Sequence, residues 1–594
     1  MPSTSLPHPR RLADYSADYR MLILAAMAIV AGTGGAFSAW VLLKLIAFAT
    51  NVLWYGDFSF GTAVIAGRGP LLVLLIPVIG GLIVGLMARF GSDKIRGHGI
   101  PEAIETILYG ESKLSPKVAL LKPLSSAVSI GSGGPFGAEG PIIMTGGAIG
   151  SLFAQLFRLS AAERKTLLVA GATAGMTGIF GTPFASIMLA VELLLFEWKP
   201  RSFVPVVTAV LVALAWRSLL MGSGPLFAFA APTPAGIEPV AISAGIGLVT
   251  GLLAAILSFI LYRIEDGFHA LPIHWMWWPA IGAVVVGIGG IVDIRVLGAG
   301  YGVIQQLVDG DLVLKAVVVL LIVKAVVWLV ALGSGTSGGI LAPLLILGGC
   351  VGFLMGQYLP GDPGFWAMIG MAGIMSGVMR APMTGALFAA ELTNHLSALP
   401  DTIAAGAAAY AISVLILKRS ILTEKIARRG RHILREYTVD PLEFLLAEQV
   451  MTRDPATLPG SMTVADAVTF FSEEALHRSY PVVDERGQLL GLVARTDALR
   501  WKQEGRLRMA GHLADVLSDA STLVAHPETP CGAVADMMVE SGTGRVPIVD
   551  PQTRTVVGIL SRQDLLKVRS TQKRGEKVRP GAVEKVRRAS KLSS

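Results

Sequence analysis

Three glycine-rich motifs precede apolar runs, and their residues suit the binding of an anion by backbone amides. They are GHGIP at Gly97, GAEGP at Gly137 and GGILAP at Gly338. A helix that starts after such a turn presents unpaired N–H groups and a partial positive charge, both of which attract an anion. Glu139 stands among glycine and apolar residues, where an isolated acid is costly unless it has a role. The motifs therefore predict an anion site at converging helix N-termini, with one carboxylate beside it.

The region that holds these motifs resembles itself at a nearly fixed interval. GSGGPFGAEGP, which ends at Pro141, matches GSGTSGGILAP 202 residues further on. GHG at Gly97 has its match 201 residues on, and the segment that contains Glu192 has its match 199 residues on. Three ordered matches at nearly one interval indicate a duplication, with halves at about 25–220 and 240–417. In membrane transporters such halves commonly pack head to tail, and their broken helices meet near the middle of the bilayer.

Composition places the duplicated region in a membrane. Of the 594 residues, 53% are hydrophobic and only 15% are charged. Long apolar runs such as 21–43 and 241–261 are about long enough for a helix to cross the hydrocarbon core, which takes roughly 20 residues. Shorter runs such as 206–216 suit helices that stop inside the membrane. We expect an all-α polytopic membrane domain of broken, tilted helices at 21–435, after a cytoplasmic N-terminal segment at 1–20.

The motifs GHGIPE, GAEGP and GGILAP, in this order and spacing, resemble the chloride channel and transporter (CLC) family over about residues 20–435. The resemblance implies a CLC-type inverted-repeat fold and a homodimer in which each subunit carries its own pathway for chloride or a similar small anion. Some members are channels and others are chloride/proton exchangers. Glu139 resembles the family's gating glutamate, whose carboxylate competes with the anion for the outer site and moves away when protonated. The alternative is a charge that only complements the dipole of its helix.

The resemblance also assigns residues to the anion site. It implies that the backbone amides of Ile340 and Leu341 hold a central anion, and that those of Ala138, Glu139 and Gly140 hold an outer one. The other motif residues assigned to the site are Gly97, His98, Gly99, Ile100, Pro101, Gly137, Pro141, Gly339 and Leu422.

Two of these side chains depart from the family pattern. His98 stands where the family often has Ser, and Leu422 stands where it usually has Tyr, so both hydroxyl donors to the central anion would be absent. This suggests a looser or differently tuned site. His98 either donates a hydrogen bond, or a charge that makes conduction depend on pH near about 6.5, or is a neutral packing or pore-lining imidazole.

A third departure concerns proton coupling. Exchangers of the family usually carry an internal glutamate just after the position of Glu192, but this chain has Leu193, which carries no proton. Glu197, one helical turn on, is a candidate substitute, whereas Glu192 and Glu391 favour structural roles. The sequence therefore favours channel-like conduction, with a chloride/proton exchanger as the alternative, and leaves voltage dependence open.

After about residue 436 the composition becomes that of a soluble protein, and a second repeat follows. SYPVVDERGQLLGLVARTDALR from Ser479 matches RVPIVDPQTRTVVGILSRQDLLK from Arg545. Each unit has the pattern of strand, turn, strand and helix. The pair resembles tandem CBS domains, an α/β module that we place at 436–503 and 510–569.

The CBS resemblance implies a cleft that often binds an adenine nucleotide (ATP, ADP or AMP). There Thr496, Asp497, Ser561 and Asp564 would face phosphate and ribose. The same residues equally suit helix caps, so nucleotide binding and simple capping both remain open. We expect no required cofactor.

The charged flanks predict orientation. Basic residues before the first apolar run and after the last place both termini in the cytoplasm, in a plasma or inner membrane. The tail at 570–594 is basic and poor in apolar residues, so we expect it to be disordered and close to lipid headgroups. The net charge of +8 comes largely from these segments and does not indicate nucleic acid binding. Cys350 and Cys531 lie in separate regions and predict packing roles, with neither a disulfide nor a metal site.

Two other classes of protein fit less well. A CBS-regulated divalent cation transporter needs converging oxygen ligands, whereas the acids of the membrane region are scattered. The second alternative is an intramembrane enzyme or a receptor. This region has no HExxH, no closely paired acids and no assembled Ser, His and Asp set. We therefore expect no enzymatic activity.

Overall fold

A computed structural model describes residues 19–66, 68–230, 232–234, 236–431, 433, 442, 445–504, 511–517 and 523–568. The cytoplasmic segment predicted at 1–20 lies outside this part except for its last two residues, and the basic tail predicted at 570–594 lies outside it entirely. The chain divides into one unit at Asp14–Arg435 and a second unit that contains Glu436–Ser594.

The first unit is helical, and its helices fall into two sets of eight in the same order, which confirms the predicted all-α inverted-repeat fold. The first set is α1 (Arg20–Tyr55), α2 (Pro70–Phe90), α3 (Ile100–Tyr109), α4 (Pro116–Gly131), α5 (Glu139–Gln155), α6 (Ala161–Phe180), α7 (Pro183–Leu189) and α8 (Pro200–Leu220). The second set is α9 (Ile237–His269), α10 (Trp278–Val292), α11 (Tyr301–Val308), α12 (Leu314–Gly333), α13 (Leu341–Gly356), α14 (Pro363–Met379), α15 (Pro382–Leu392) and α16 (Leu399–Ile416). A short helix, α17 (Ile421–Arg428), follows the second set.

Helix length separates the membrane-crossing helices from the broken ones. Within the described residues, seven helical segments are long and apolar enough to cross a membrane. They are Arg20–Tyr55, Pro70–Phe90, Pro200–Leu220, Ile237–His269, Trp275–Val292, Leu314–Gly333 and Leu396–Arg428. The run at 206–216, which the sequence suggested as a short piece, lies inside the 21-residue helix α8, so that expectation was wrong. By contrast, α5 and α13 reach only about 25 Å at 1.5 Å per residue, so they fit as helices that end within the bilayer.

Paired glycines let the central helices of each half approach closely. A side chain at Gly146 of α5 would collide with the backbone oxygen of Gly171 of α6, and one at Gly348 of α13 would collide with that of Gly370 of α14. The two contacts are related by the sequence repeat. Small residues at such crossings are the usual means of close helix packing in membranes.

The second unit contains two small sheets. Its helices and strands are α18 (Ala447–Val450), β1 (Thr452–Arg453), β2 (Leu458–Pro459), α19 (Val464–Glu473), β3 (Ser479–Val483), β4 (Leu489–Ala494), α20 (Arg495–Gln503), α21 (Leu513–Leu517), α22 (Cys531–Glu540), β5 (Arg545–Val549), β6 (Val556–Ser561) and a helical stretch at 562–568. The strand orders are β2-β3-β4 and β1-β6-β5. β3 pairs with β4 and β5 with β6 in antiparallel hairpins, which is the strand, turn, strand pattern expected for both repeats.

The opening segment of the first repeat joins the sheet of the second. In β1, Thr452 pairs with Ile559 of β6, although the sequence assigns both residues of β1 to the first repeat. Each sheet has its own apolar core, and Cys531 is buried in the second one. Burial raises the pKa of the Cys531 thiol to about 11, which fits the packing role predicted for it.

Candidate functional site

Glu139 lies where the N-termini of α5 and α13 meet. Gly137 and Gly339 form an antiparallel backbone pair, with N–H to O distances of 3.2 and 2.8 Å. Glu139 is fully buried, and its Oε1 accepts a hydrogen bond from the Ala342 N–H in the first turn of α13 at 2.9 Å. A side chain at Gly137 would collide with this carboxylate, and one at Gly339 would collide with both the carboxylate and the Gly137 carbonyl. The carboxylate therefore occupies the place that two helix N-termini make attractive to an anion.

The GHGIP motif lies against the same place. Gly99 has a left-handed backbone, with φ of 84°, and precedes α3, which has Pro101 in its first turn. The carbonyl of His98 packs so closely on Gly140 that no side chain fits there. The structure thus brings the three predicted motifs together, two from the first half of the repeat and one from the second.

The predicted anion-site residues differ in how directly they face Glu139. Those brought together around it are His98, Gly99, Gly137, Ala138, Gly140 and Gly339, with Ile100, Pro101, Pro141, Ile340 and Leu341 at or beside the starts of the three helices. Gly97 donates its N–H to the Gly335 carbonyl at 3.3 Å. Leu422 is fully buried on α17, which packs on α3, and brings no hydroxyl to the site.

Two buried lysines hold the turns before α3 and α11. Lys122 of α4 donates to the carbonyls of Ile95 and Gly97 at 2.8 and 2.7 Å. Lys324 of α12 makes the matching bonds to the carbonyls of Val296 and Gly298 at 2.8 and 3.1 Å. Both lysines have no exposed surface, and the sequence analysis missed both. The sequence signal that could have found them is a lysine within an apolar run that is repeated 202 residues further on.

Glu192 and Glu391 each cap a helix of the opposite half. Glu192 accepts bonds from the N–H groups of Met383 and Thr384, at 3.2 and 2.8 Å, at the start of α15. Glu391 accepts bonds from those of Phe184 and Ala185, at 3.0 and 2.7 Å, at the start of α7. These are structural bonds between the halves, in line with the roles that the sequence favoured.

Within the part of the chain that the structure describes, the two positions considered for proton coupling, Leu193 and Glu197, do not cap a helix of the other half. Leu193 is fully buried, and Glu197 lies 3.6 Å from Lys165 and 4.0 Å from Arg201. Among the described residues, no group of three or more His, Cys, Asp or Glu side chains could hold a metal ion.

A basic cavity of about 420 Å³ adjoins the site at Gly335, whose carbonyl binds Gly97. Its lining includes four basic side chains, Arg96, Lys425, Arg428 and Arg429, and two acidic ones, Asp93 and Glu265. Three of the four basic side chains are paired with acids: Arg428 with Asp266, and Lys425 and Arg429 with Glu102.

Two of these basic residues also tie α17 to α3. Glu102 of α3 lies 3.2 Å from Lys425 and 2.9 Å from Arg429. The ion pairs fix the helix that carries Leu422 against the helix that begins beside His98.

The CBS unit contains a cavity of about 300 Å³ lined by residues of both repeats. Ser561 and Asp564 line it, together with His477 and Arg545. The other two predicted nucleotide residues are not in its lining. Thr496 is exposed at the start of α20. Asp497 accepts the Ala494 N–H at 2.9 Å and an Arg500 N–H at 2.8 Å, as a helix cap does.

Comparison with known proteins agrees with this geometry. A family model described as voltage gated chloride channel matches residues 80–414, and the CBS domain model matches 447–504 and 514–571. The chain is 28% identical, over 372 residues, to the voltage-gated ClC-type chloride channel ClcB of Salmonella typhimurium, covering 61% of this chain and 88% of that protein. It is also 28% identical, over 375 residues, to the H(+)/Cl(-) exchange transporter ClcA of Salmonella paratyphi A, covering 59% and 78%.

Solved structures share the fold. A slow cyanobacterial Cl-/H+ antiporter superposes with a TM-score of 0.60 at 21% identity, covering 70% of this chain and 99% of that one. A eukaryotic CLC transporter has a TM-score of 0.58 at 19% identity and covers 92% and 98%. Because the family model covers more than half of the chain, this multi-pass membrane protein belongs to the voltage-gated chloride channel (CLC) family of anion transporters and carries tandem CBS domains.

Proposed function

We propose that the protein conducts chloride, or a similar small anion, along a pathway that Glu139 gates. The observation that carries this proposal is the bond between the Glu139 carboxylate and the Ala342 amide at the joined N-termini of α5 and α13. Two negative groups do not share one set of amides, so an anion enters only when the carboxylate leaves.

Channel-like conduction is the form we favour over exchange. Leu193 cannot carry a proton, and Glu197, the substitute nearest in sequence, is held beside Lys165 and Arg201. Support for the alternative comes from relatives and fold neighbours that are named as exchangers or antiporters.

Liposomes that contain the purified protein distinguish the two. A chloride gradient should drive chloride efflux while the external pH stays constant, with protein-free liposomes as the control. Proton movement against its own gradient, driven by chloride, would show that the protein is an exchanger and not a channel.

We further propose that the CBS pair binds an adenine nucleotide and regulates conduction. The cavity of about 300 Å³ with Arg545, Ser561 and Asp564 in its lining supports this role, because a cation suits phosphate and a carboxylate suits the ribose hydroxyls. ATP or AMP should raise the melting temperature of the full chain, since a ligand that binds only the native state stabilises it. Asp564→Asn should reduce that shift, whereas Asp497→Asn, outside the cavity, should not. An unchanged melting temperature at millimolar nucleotide would leave Ser561 and Asp564 as helix caps only.

The assembly and location follow the family. We propose a homodimer in a plasma or inner membrane with both termini in the cytoplasm. Light scattering of the protein in detergent should give twice the chain mass. Cysteines added at either terminus should react with a membrane-impermeant thiol reagent only when the reagent can reach the cytoplasmic face of the membrane. A measured mass equal to that of one chain would rule out the dimer.

A further inference from the structure

Tyr301 holds a position in the pathway that no motif predicted. It is the first residue of α11, directly after Gly300, whose backbone is left-handed with φ of 73°. The repeat relates it to Ile100, the first residue of α3, at an interval of 201. Since the halves are inverted, α3 and α11 begin on opposite sides of Glu139. Tyr301 therefore stands on the side of Glu139 away from His98.

The hydroxyl of Tyr301 is buried beside the gate. Its oxygen lies near Glu139 and within reach of the backbone amide of Ala138, which can donate to it, but the O–H of Tyr301 has no acceptor among the described residues. The Oε2 atom of Glu139 is also buried without a partner there. A buried hydroxyl hydrogen and a buried carboxylate oxygen that lack partners cost stability unless a further group satisfies them.

Aromatic packing fixes the Tyr301 ring. Its centroid is 6.3 Å from that of Phe180 and 6.1 Å from that of Phe227, and Phe180 packs edge-on against Phe388 at 5.2 Å. The Tyr301 residue keeps some exposed surface, whereas Glu139 has none. The ring is thus held in an aromatic cluster, in a residue that is less deeply buried than Glu139, and the hydroxyl is its polar group.

We propose that the Tyr301 hydroxyl is a ligand of the transported anion on the outer side of Glu139, donating its O–H to the anion once the carboxylate has left. This inference rests on the proposed function, because it names a ligand of the same pathway. It also accounts for the missing inner hydroxyls: His98 and Leu422 supply none, and the chain places a hydroxyl on the other side of the gate. Such a donor favours small, strongly hydrated anions such as chloride over thiocyanate.

Chloride binding to the purified full chain tests the proposal. The parent is Glu139→Gln, in which the competing charge is absent, and Tyr301→Phe is added to remove one oxygen while keeping the ring packing. Loss of a hydrogen bond to a charged ligand should weaken chloride binding about tenfold. Thiocyanate binding should fall much less, so the ratio of the two affinities changes. Tyr358→Phe is the matched control, since that side chain is 84% exposed.

Each outcome decides the matter. Equal chloride affinity in the parent and in Tyr301→Phe would overturn the assignment while leaving the pathway intact. An equal loss for chloride and thiocyanate would also overturn it, because general damage to the fold does not select between anions. If the parent and native chains neither bind nor move chloride, the proposed function itself fails, and this inference fails with it.

Discussion

The two halves of the membrane unit share one fold but differ at the pathway. Both keep a buried lysine on the fourth helix and a glutamate that caps the seventh helix of the other half. Where the first half has Glu139, the second has Leu341, and where the first has Ile100, the second has Tyr301. The lysines and glutamates that both halves keep thus hold the helices together, whereas Glu139 and Tyr301, each polar in one half only, lie at the meeting helix starts where we propose the anion pathway.

The lysines provide the largest test of this division. Lys122→Met and Lys324→Met should each lower the free energy of unfolding by about 3 kcal/mol, because the change leaves two buried carbonyls without a donor. The expected result is a similar loss of thermal stability in detergent for both variants. Lys315→Met, on the exposed start of α12, is the control. A large loss of thermal stability for one lysine variant and none for the other would show that the two halves are not held together by equivalent bonds.

The reciprocal caps should have a smaller effect of the same kind. Glu192→Gln and Glu391→Gln each keep an acceptor oxygen but lose the charge, so each should cost about 1 kcal/mol. The thermal stabilities of the two variants should fall by similar amounts, and that of the exposed Glu238→Gln should not. If either Gln variant instead altered proton movement in liposomes, that glutamate would be part of the transport pathway.

The smallest expected effect concerns His98, a polar residue whose match in the sequence repeat is Ala299 of the second half. His98→Ser restores the hydroxyl that the family pattern has, so chloride binding should become severalfold tighter through one added donor. The flux of Glu139→Ala, in which the gating carboxylate no longer titrates, separates the two interpretations of the imidazole between pH 5 and 8. A midpoint near 6.5 that adding His98→Ser abolishes would support a titrating donor, and a flat profile would support a packing role.

Much of this arrangement follows from the sequence. The motif intervals located the two halves, and the N-termini of α3, α5 and α13 lie together as expected from GHGIP, GAEGP and GGILAP. Local signals are sufficient here, because glycine turns and apolar runs fix where a helix begins.

Contacts between distant segments were less predictable. The bond from Ala342 to Glu139 and the hydroxyl of Tyr301 beside it depend on the packing of the two halves, and each residue looks ordinary within its own helix. The pairing of β1 with β6 was missed for the same reason, since a two-residue strand has no pattern that names its partner. Asp497 matches Asp564 in sequence but, like Thr496, lies outside the cavity lining.

Chloride efflux from liposomes, measured for the native chain and for Glu139→Ala as the external pH falls from 7 to 5, tests the central claim most directly. If the carboxylate occupies the anion's place, native efflux should rise as protonation releases it, and the variant should conduct at every pH without that rise. Native and variant profiles of the same shape would contradict a gate at Glu139.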